Sequence, residues 1–239
     1  MTDLSELFGP IDIYLFDQVL RGRIRPGMTV FDAGCGGGRN LVFLLREGYE
    51  VSGLDANPEA IRSVRGLAAR LAPELPGTNF RAEAVESSSF PERSFDVVLS
   101  SAVLHFARGE AHFRAMLQGS WRHLKSGGLF FCRLASSIGM ADRMTPLGDR
   151  RFLLPDGSER FLVDQDYLLA LTAELGGVLV DPLKTTVVQD QRCMTTWVVG
   201  KDEGADWDRQ IEADAQTGKL DALAERALQA HVEGRSTKL

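Results

Sequence analysis

One stretch constrains this chain more than any other: Val30-Phe31-Asp32-Ala33-Gly34-Cys35-Gly36-Gly37-Gly38-Arg39-Asn40. A short apolar run from Met28 to Phe31 meets an acid, glycines crowd the next positions, and an amphipathic segment follows with Leu41, Val42, Leu44 and Leu45. Strand, glycine loop and helix in that order set a backbone turn against a ligand, because glycine lets the main chain approach so closely. The residues around the glycines decide which ligand.

A dinucleotide fingerprint counted from Gly34 needs its third glycine where Arg39 stands, and a side chain there obstructs helix–strand packing. Asp32 is ill-suited to a pyrophosphate, since a carboxylate repels phosphate. No Gly-Lys-Ser/Thr follows, which excludes a phosphate-cradling P-loop. A cationic ligand without phosphate suits the acid, and S-adenosylmethionine carries a sulfonium and an ammonium group. A second strand, Glu50-Val-Ser-Gly-Leu-Asp55, ends in a carboxylate about 20 residues after the loop, where such folds bind a ribose diol. The two oxygens of Asp55 can accept from both hydroxyls. Asn57-Pro58-Glu59 then opens the next helix, with Pro58 suited to its first turn.

On these residues the chain resembles the class I S-adenosylmethionine-dependent methyltransferases, and within them the small-molecule branch near the tellurite-resistance-type enzymes. The likeness covers 28–135 well and the rest in outline. Four motifs in order carry it. Asp32, Gly34, Gly36 and Gly38 match the family's glycine-rich motif, and Asp55 matches its ribose-binding acid. Phe95 to Ser100 matches the fourth strand, and Leu124 to Leu129 the turn into the fifth. The resemblance implies a Rossmann-like, doubly wound α/β fold with a mostly parallel seven-stranded sheet and helices on both faces. It also implies S-adenosylmethionine as cofactor and methyl transfer to a small-molecule acceptor.

The implied cofactor contacts fall in four groups. Asp32, Ala33, Gly34, Cys35, Gly36, Gly38, Arg39 and Asn40 come from the loop, and Asp55, Ala56 and Asn57 follow the second strand. Ala84 and Val85 follow the third, and Ser100 and Leu104 stand at the end of the fourth. Family members often place an Asp against the adenine amino group. Ala84 stands at that position here, so backbone and apolar contacts with Val85 are expected, with Glu83 or Glu86 as acidic alternatives.

Strand–helix units alternate from 28 to 135, which means a parallel sheet with its ligand crevice outside the carboxyl ends of the strands. A helix over 10–24 precedes the first strand. Residues 136–163 break the rhythm as a long insert with a turn at Pro155-Asp156-Gly157 and a hairpin, and loops of that length serve as lids or binding segments. Asp164 caps a helix to about 175, and two strands follow near 177–188 and 192–200. The sequence thus predicts a methyltransferase domain over 1–201 and a charged helical extension over 202–239, interrupted at Thr217-Gly218.

The net charge of −6 argues against nucleic acid as a partner, since no basic excess exists to release counterions. Cys35, Cys132 and Cys193 form no Cys-x-x-Cys pair and suit a reducing compartment. The N-terminus lacks the pattern of a signal peptide and no apolar run reaches membrane-spanning length, so a cytoplasmic location without a membrane partner is expected. Oligomeric state has no signature here.

His105, at the end of the fourth strand, is read either as a general base or as a histidine packed beneath the cofactor. His112 and His123 are expected on a solvated outer helix. Arg133, Arg143 and Arg192 could orient an anionic substrate through bidentate contacts, and Arg133 and Arg143 are favoured because they flank the insert. Tyr14, on the N-terminal helix with Phe16, is a core residue or closes over the sulfonium by a cation–π contact. Cys35 is a small loop filler, with only Arg39 nearby to lower its pKa. A non-catalytic S-adenosylmethionine-binding sensor or partner subunit is the alternative to an enzyme.

Overall fold

The apolar runs at 28–33, 50–55 and 95–100 become central strands because both faces of each are covered. In the computed structural model, which describes residues 3–202 together with 204, 214, 215, 217 and 218, β1 (Thr29–Ala33), β2 (Glu50–Asp55), β3 (Phe80–Ala82), β4 (Phe95–Ser101) and β5 (Leu124–Ala135) run parallel. Their order is β5-β4-β1-β2-β3. Asp32 lies opposite Gly53 on one side and Leu99 on the other. Neighbouring residues point to opposite faces, so Phe31, Phe130 and Trp197 enter one core and Val30, Phe131 and Val198 the other.

Among the described residues of 3–202, six helices complete the layers: α1 (Leu4–Phe8), α2 (Ile13–Leu20), α3 (Val42–Arg46), α4 (Pro58–Leu71), α5 (Glu110–Trp121) and α6 (Gln165–Glu174). Leu15 of α2, Leu44 and Leu45 of α3 and Val64 of α4 cover one face. Phe113 of α5 and Leu168 of α6 cover the other. The helix expected over 10–24 is shorter, because Gly22 takes the left-handed φ of +68° that ends it.

Among the described residues the sheet holds the expected seven strands along its main path and one more paired beside it. The stretch 177–188 forms two strands, β9 (Gly177–Leu179) and β10 (Lys184–Val188), both antiparallel to β11 (Arg192–Lys201). Pro182 stands between them and has no N–H to continue the ladder. β11 in turn pairs antiparallel with β5, setting Thr196 opposite Arg133.

The insert is more ordered than a loop with one hairpin. It forms a three-stranded antiparallel sheet of β6 (Thr145–Gly148), β7 (Arg151–Leu153) and β8 (Glu159–Phe161). Asp149 and Arg150 turn between β6 and β7 at φ of +51° and +56°, the backbone a two-residue hairpin loop demands. Both residues also anchor the insert. Asp149 accepts the first main-chain N–H of α5 at Glu110, and Arg150 pairs with Asp164 at 2.8 Å. Asp164 caps α6 as expected, accepting from the Tyr167 N–H.

The chain divides into two units, Met1–Lys201 and Asp202–Leu239. In the second, Gly218 donates its N–H to the Ala215 carbonyl at the expected interruption. The rest of the 202–239 helical extension lies outside the described residues. Among the described residues no helix is long and apolar enough to cross a membrane.

Candidate active site

The glycine loop closes onto the end of β2. The N–H groups of Gly34 and Cys35 both donate to the Leu54 carbonyl, each at 2.9 Å. Gly34 stands at φ +98°, and a side chain there would collide with Val103. A Cβ at Gly38 would come within 2.8 Å of Val64 and Leu67 on α4, so close packing in this loop falls at Gly38 instead of position 39. Gly36 is different: its φ is +52° and a Cβ would meet nothing within 4 Å. Its missing side chain leaves space at the wall of a cavity of about 900 Å³.

Asp55 faces the same cavity. Its Oδ2 accepts from the Gly36 N–H at 3.0 Å and its Oδ1 from the Asn57 N–H at 2.8 Å. Each oxygen retains acceptor capacity for a hydroxyl. Ala56, Ala84, Val85 and Met116 supply an apolar stretch of wall. Glu86 and His112 lie beside it with Oε1 and Nε2 3.2 Å apart, while His112 Nδ1 accepts from the Arg108 N–H. Beneath the loop, Asp32 is 2% exposed and its Oδ1 has no hydrogen-bond partner among the described residues. Burial pushes its pKa up to about 7, against the pull of Arg39 and with a further push from Asp55.

Ala102 marks the far wall of this cavity, with φ +63° and its N–H given to the Arg133 carbonyl at 2.7 Å. A left-handed conformation in a residue with a Cβ costs on the order of 1–3 kcal/mol and persists where surroundings impose it. Ala102 and Arg39 also line a second cavity of about 250 Å³. Arg133 and Ala135 of β5, Asp156 and Arg160 of the insert, and Arg192 of β11 contribute to it.

His105 completes that second wall, 5% exposed. Burial lowers its pKa to about 4, helped by Arg160 and Arg192, so the ring is neutral near pH 7. Its Nδ1 accepts from the Ala135 N–H at 3.2 Å. The single ring proton must then sit on Nε2, which makes His105 a donor and removes it as a general base in this state.

The sequence of this loop region, residues 31–132, matches the family model for a methyltransferase domain. That stretch is a methyltransferase domain. An uncharacterised methyltransferase of Synechocystis sp. is 36% identical over 107 residues, which is 45% of this chain and 47% of that protein. This chain therefore matches about half the length of that relative. A ubiquinone biosynthesis O-methyltransferase of Methylobacterium sp. is 27% identical over 76% of this chain and 71% of its own.

Solved structures show the same fold. A Burkholderia thailandensis 1,6-didemethyltoxoflavin-N1-methyltransferase, with 1,6-didemethyltoxoflavin and S-adenosylhomocysteine bound, superposes with a TM-score of 0.62 at 20% identity, covering 84% of this chain and 81% of that one. TehB of Haemophilus influenzae gives 0.58 at 18% identity, covering 78% of this chain and 62% of that one. S-adenosylmethionine fits the residues present. The loop leaves a backbone approach open at Gly36, a carboxylate with spare acceptors stands at Asp55, and the buried Asp32 adds negative charge beneath.

Within the methyltransferase domain, the large cavity brings together Gly34, Cys35, Gly36, Gly38, Arg39, Asn40, Asp55, Ala56, Ala84 and Val85. Five expected cofactor residues lie outside its lining. Asp32 and Ala33 are buried in β1, and Asn57 instead caps α4. Ser100 and Leu104 are wholly buried, and Ser101, Ala102 and Val103 take their place because β4 runs one residue further than expected. Cys35 is 5% exposed with its thiol pKa raised by burial, so it is no nucleophile.

The substrate candidates divide similarly. Arg133 lines the second cavity, but Arg143 pairs with Asp190 outside the lining of both. Tyr14 also lies outside both linings. Its hydroxyl meets Thr186 at 2.9 Å, and the cation over its ring is Arg133, 5.7 Å away. His112 lies on α5 as expected and lines the large cavity with its side chain about one-fifth exposed, whereas His123 is wholly buried against Phe31 and is not solvated. Arg160 escaped sequence reasoning altogether. Its place just after a Gly-Ser turn within a longer insert carries no local signal.

Proposed function

We propose that this protein transfers the methyl group of S-adenosylmethionine to a small-molecule acceptor held in the second cavity, releasing S-adenosylhomocysteine. The observation that carries this reading is that the two cavities meet at Arg39 and Ala102. A cofactor in the first and an acceptor in the second would face each other across that junction. S-adenosylmethionine supplies an electrophilic methyl group when bound; the chain supplies position.

Asp55 would hold the ribose hydroxyls, and Ala84 and Val85 would contact the adenine with Glu86 alongside. Gly34 and Gly36 would admit the amino-acid end above Asp32. Among the residues lining the second cavity, neutral His105 offers a donor and the arginines are always charged, so no lining nitrogen serves as a base at neutral pH. Alignment of two reactants is worth roughly 7–11 kcal/mol, which leaves an acceptor that is already nucleophilic with no need of one.

Calorimetry with S-adenosylmethionine, S-adenosylhomocysteine and NAD tests the cofactor, followed by a screen for labelled methyl transfer. Binding of both S-adenosyl compounds without NAD, together with turnover, is expected. Binding without turnover across acids, phenols, amines and thiols would favour a sensor, and NAD binding alone would overturn both readings.

A further inference from the structure

We propose that the methyl acceptor is a small organic acid whose carboxylate is anchored by Arg160 and Arg192 in the second cavity, with its methyl-accepting atom toward Arg39 and Ala102. This rests on the methyl-transfer reading and names the substrate class it takes.

The charge of the cavity is the first ground. Arg39, Arg133, Arg160 and Arg192 line it against one carboxylate, Asp156, in a chain of net charge −6. Asp156 is already engaged, accepting from the Ser158 N–H and Oγ and standing 4.0 Å from Arg192. Arg133 is balanced by Asp12 at 2.9 Å. Among the described residues, no acid lies within ion-pair distance of Arg39 or Arg160. Arg39 reaches only Ser101 Oγ at 3.4 Å, and Arg160 gives Nη1 to the Glu159 carbonyl while its guanidinium lies 4.7 Å over the Phe106 ring. Like charges gathered at a half-enclosed site repel each other, and an anion between them reverses the sign of that energy.

The shape of the donors is the second. Guanidinium groups present paired N–H vectors that match a planar carboxylate. His105 adds an Nε2–H from the wall, its tautomer set by the Ala135 N–H. Leu154, Val188 and Met194 line the same cavity and suit an apolar body attached to the anion. A volume of about 250 Å³ holds such an acid and excludes a macromolecule.

The test titrates the full chain, with and without saturating S-adenosylhomocysteine, with benzoate, its uncharged analogue benzamide, and inorganic phosphate. Benzoate is expected to bind at least tenfold more tightly than benzamide and than phosphate. Arg160→Gln should weaken benzoate at least tenfold, Arg160→Lys less, and Arg143→Ala not at all, with S-adenosylhomocysteine affinity within twofold throughout. Thermal melts confirm that each variant folds, and Arg192→Gln repeats the experiment if Arg160→Gln does not. Equal binding of benzoate and benzamide, tighter binding of phosphate, no benzoate binding, or full binding by the Arg160→Gln/Arg192→Gln pair would each overturn the proposal. Benzoate binding without S-adenosylhomocysteine binding would overturn the methyl-transfer reading alone and leave the anion site standing.

Discussion

Arg133 donates from Nη1 to Asp12 Oδ2 at 2.9 Å, joining residues 121 apart in the chain. The same carboxylate caps α2 by accepting from the Tyr14 N–H, and the Asp12 N–H donates to Asn40 Oδ1 at 3.0 Å. One buried acid thus ties the N-terminal helix to the end of the glycine loop and to the strand that faces the second cavity. Removing it leaves Arg133 uncompensated and uncaps a helix together. Because Arg133 is about one-fifth exposed, the expected cost of Asp12→Ala is about 2–4 kcal/mol in urea unfolding, below the fully buried case. Asp12→Asn keeps an acceptor for the cap and should cost less. Equal stability of Asp12→Ala and the parent would show that the network is ornamental.

Asp55→Ala removes the acceptor that would face a ribose and the partner of the Gly36 N–H. The expected loss in S-adenosylmethionine affinity is roughly 1.5–3 kcal/mol, or about one to two powers of ten in Kd. Calorimetry reads this directly, and an unchanged Kd places the ribose elsewhere.

The loop glycines should separate into two classes. Gly34→Ala meets Val103 at an unfavourable φ, and its main effect should be a lower melting temperature. Gly36→Ala meets no protein atom, so its fold should survive with a cost of about 1 kcal/mol from the left-handed backbone, while cofactor affinity falls at least tenfold. Parallel losses of stability and affinity in both variants would contradict the division.

Asp32 gives the pH dependence. With a native pKa of about 7 against an ordinary value of 3.8, the folded state holds the proton more strongly than the unfolded state. The contribution to stability therefore falls as pH rises between those values. Asp32→Asn removes this titration, so its stability relative to the parent should improve by about 2–3 kcal/mol between pH 5 and pH 8. Urea midpoints at the two pH values measure it; an advantage that shrinks with pH has the wrong sign. His105 works in the opposite sense in the parent, since its lowered pKa makes stability rise with pH from about 4 toward its ordinary 6.5.

The parallel sheet and the cofactor loop were legible because their signals are local. Glycines at fixed spacing, an acid at the end of β2 and unbroken apolar runs are each readable within a dozen residues. Asp32 was legible as an acid in the right motif but not as a buried one, because its depth depends on strands that flank β1 from 21 and 67 residues away. The second cavity was barely legible at all. Arg133, Arg160 and Arg192 come from three strands in two sheets, and only their convergence distinguishes them from surface arginines such as Arg143. His105 shows the same limit: its position was readable, whereas its tautomer depends on one N–H from β5.

The base of the insert is stapled. Ser136 gives its N–H to the Cys193 carbonyl, Ser137 gives its own to Val163, and Ser136 and Val163 form an isolated parallel bridge. The two ends of a span of more than twenty residues thus leave and re-enter the main sheet side by side. The length threaded between those ends therefore costs the sheet little, since loop-closure entropy grows only as the logarithm of length. Within that span Phe161 stacks on Phe113 in the main core and Asp149 holds the start of α5, so those two contacts fix how the insert sits while the stretch between them is free to change the company the scaffold keeps.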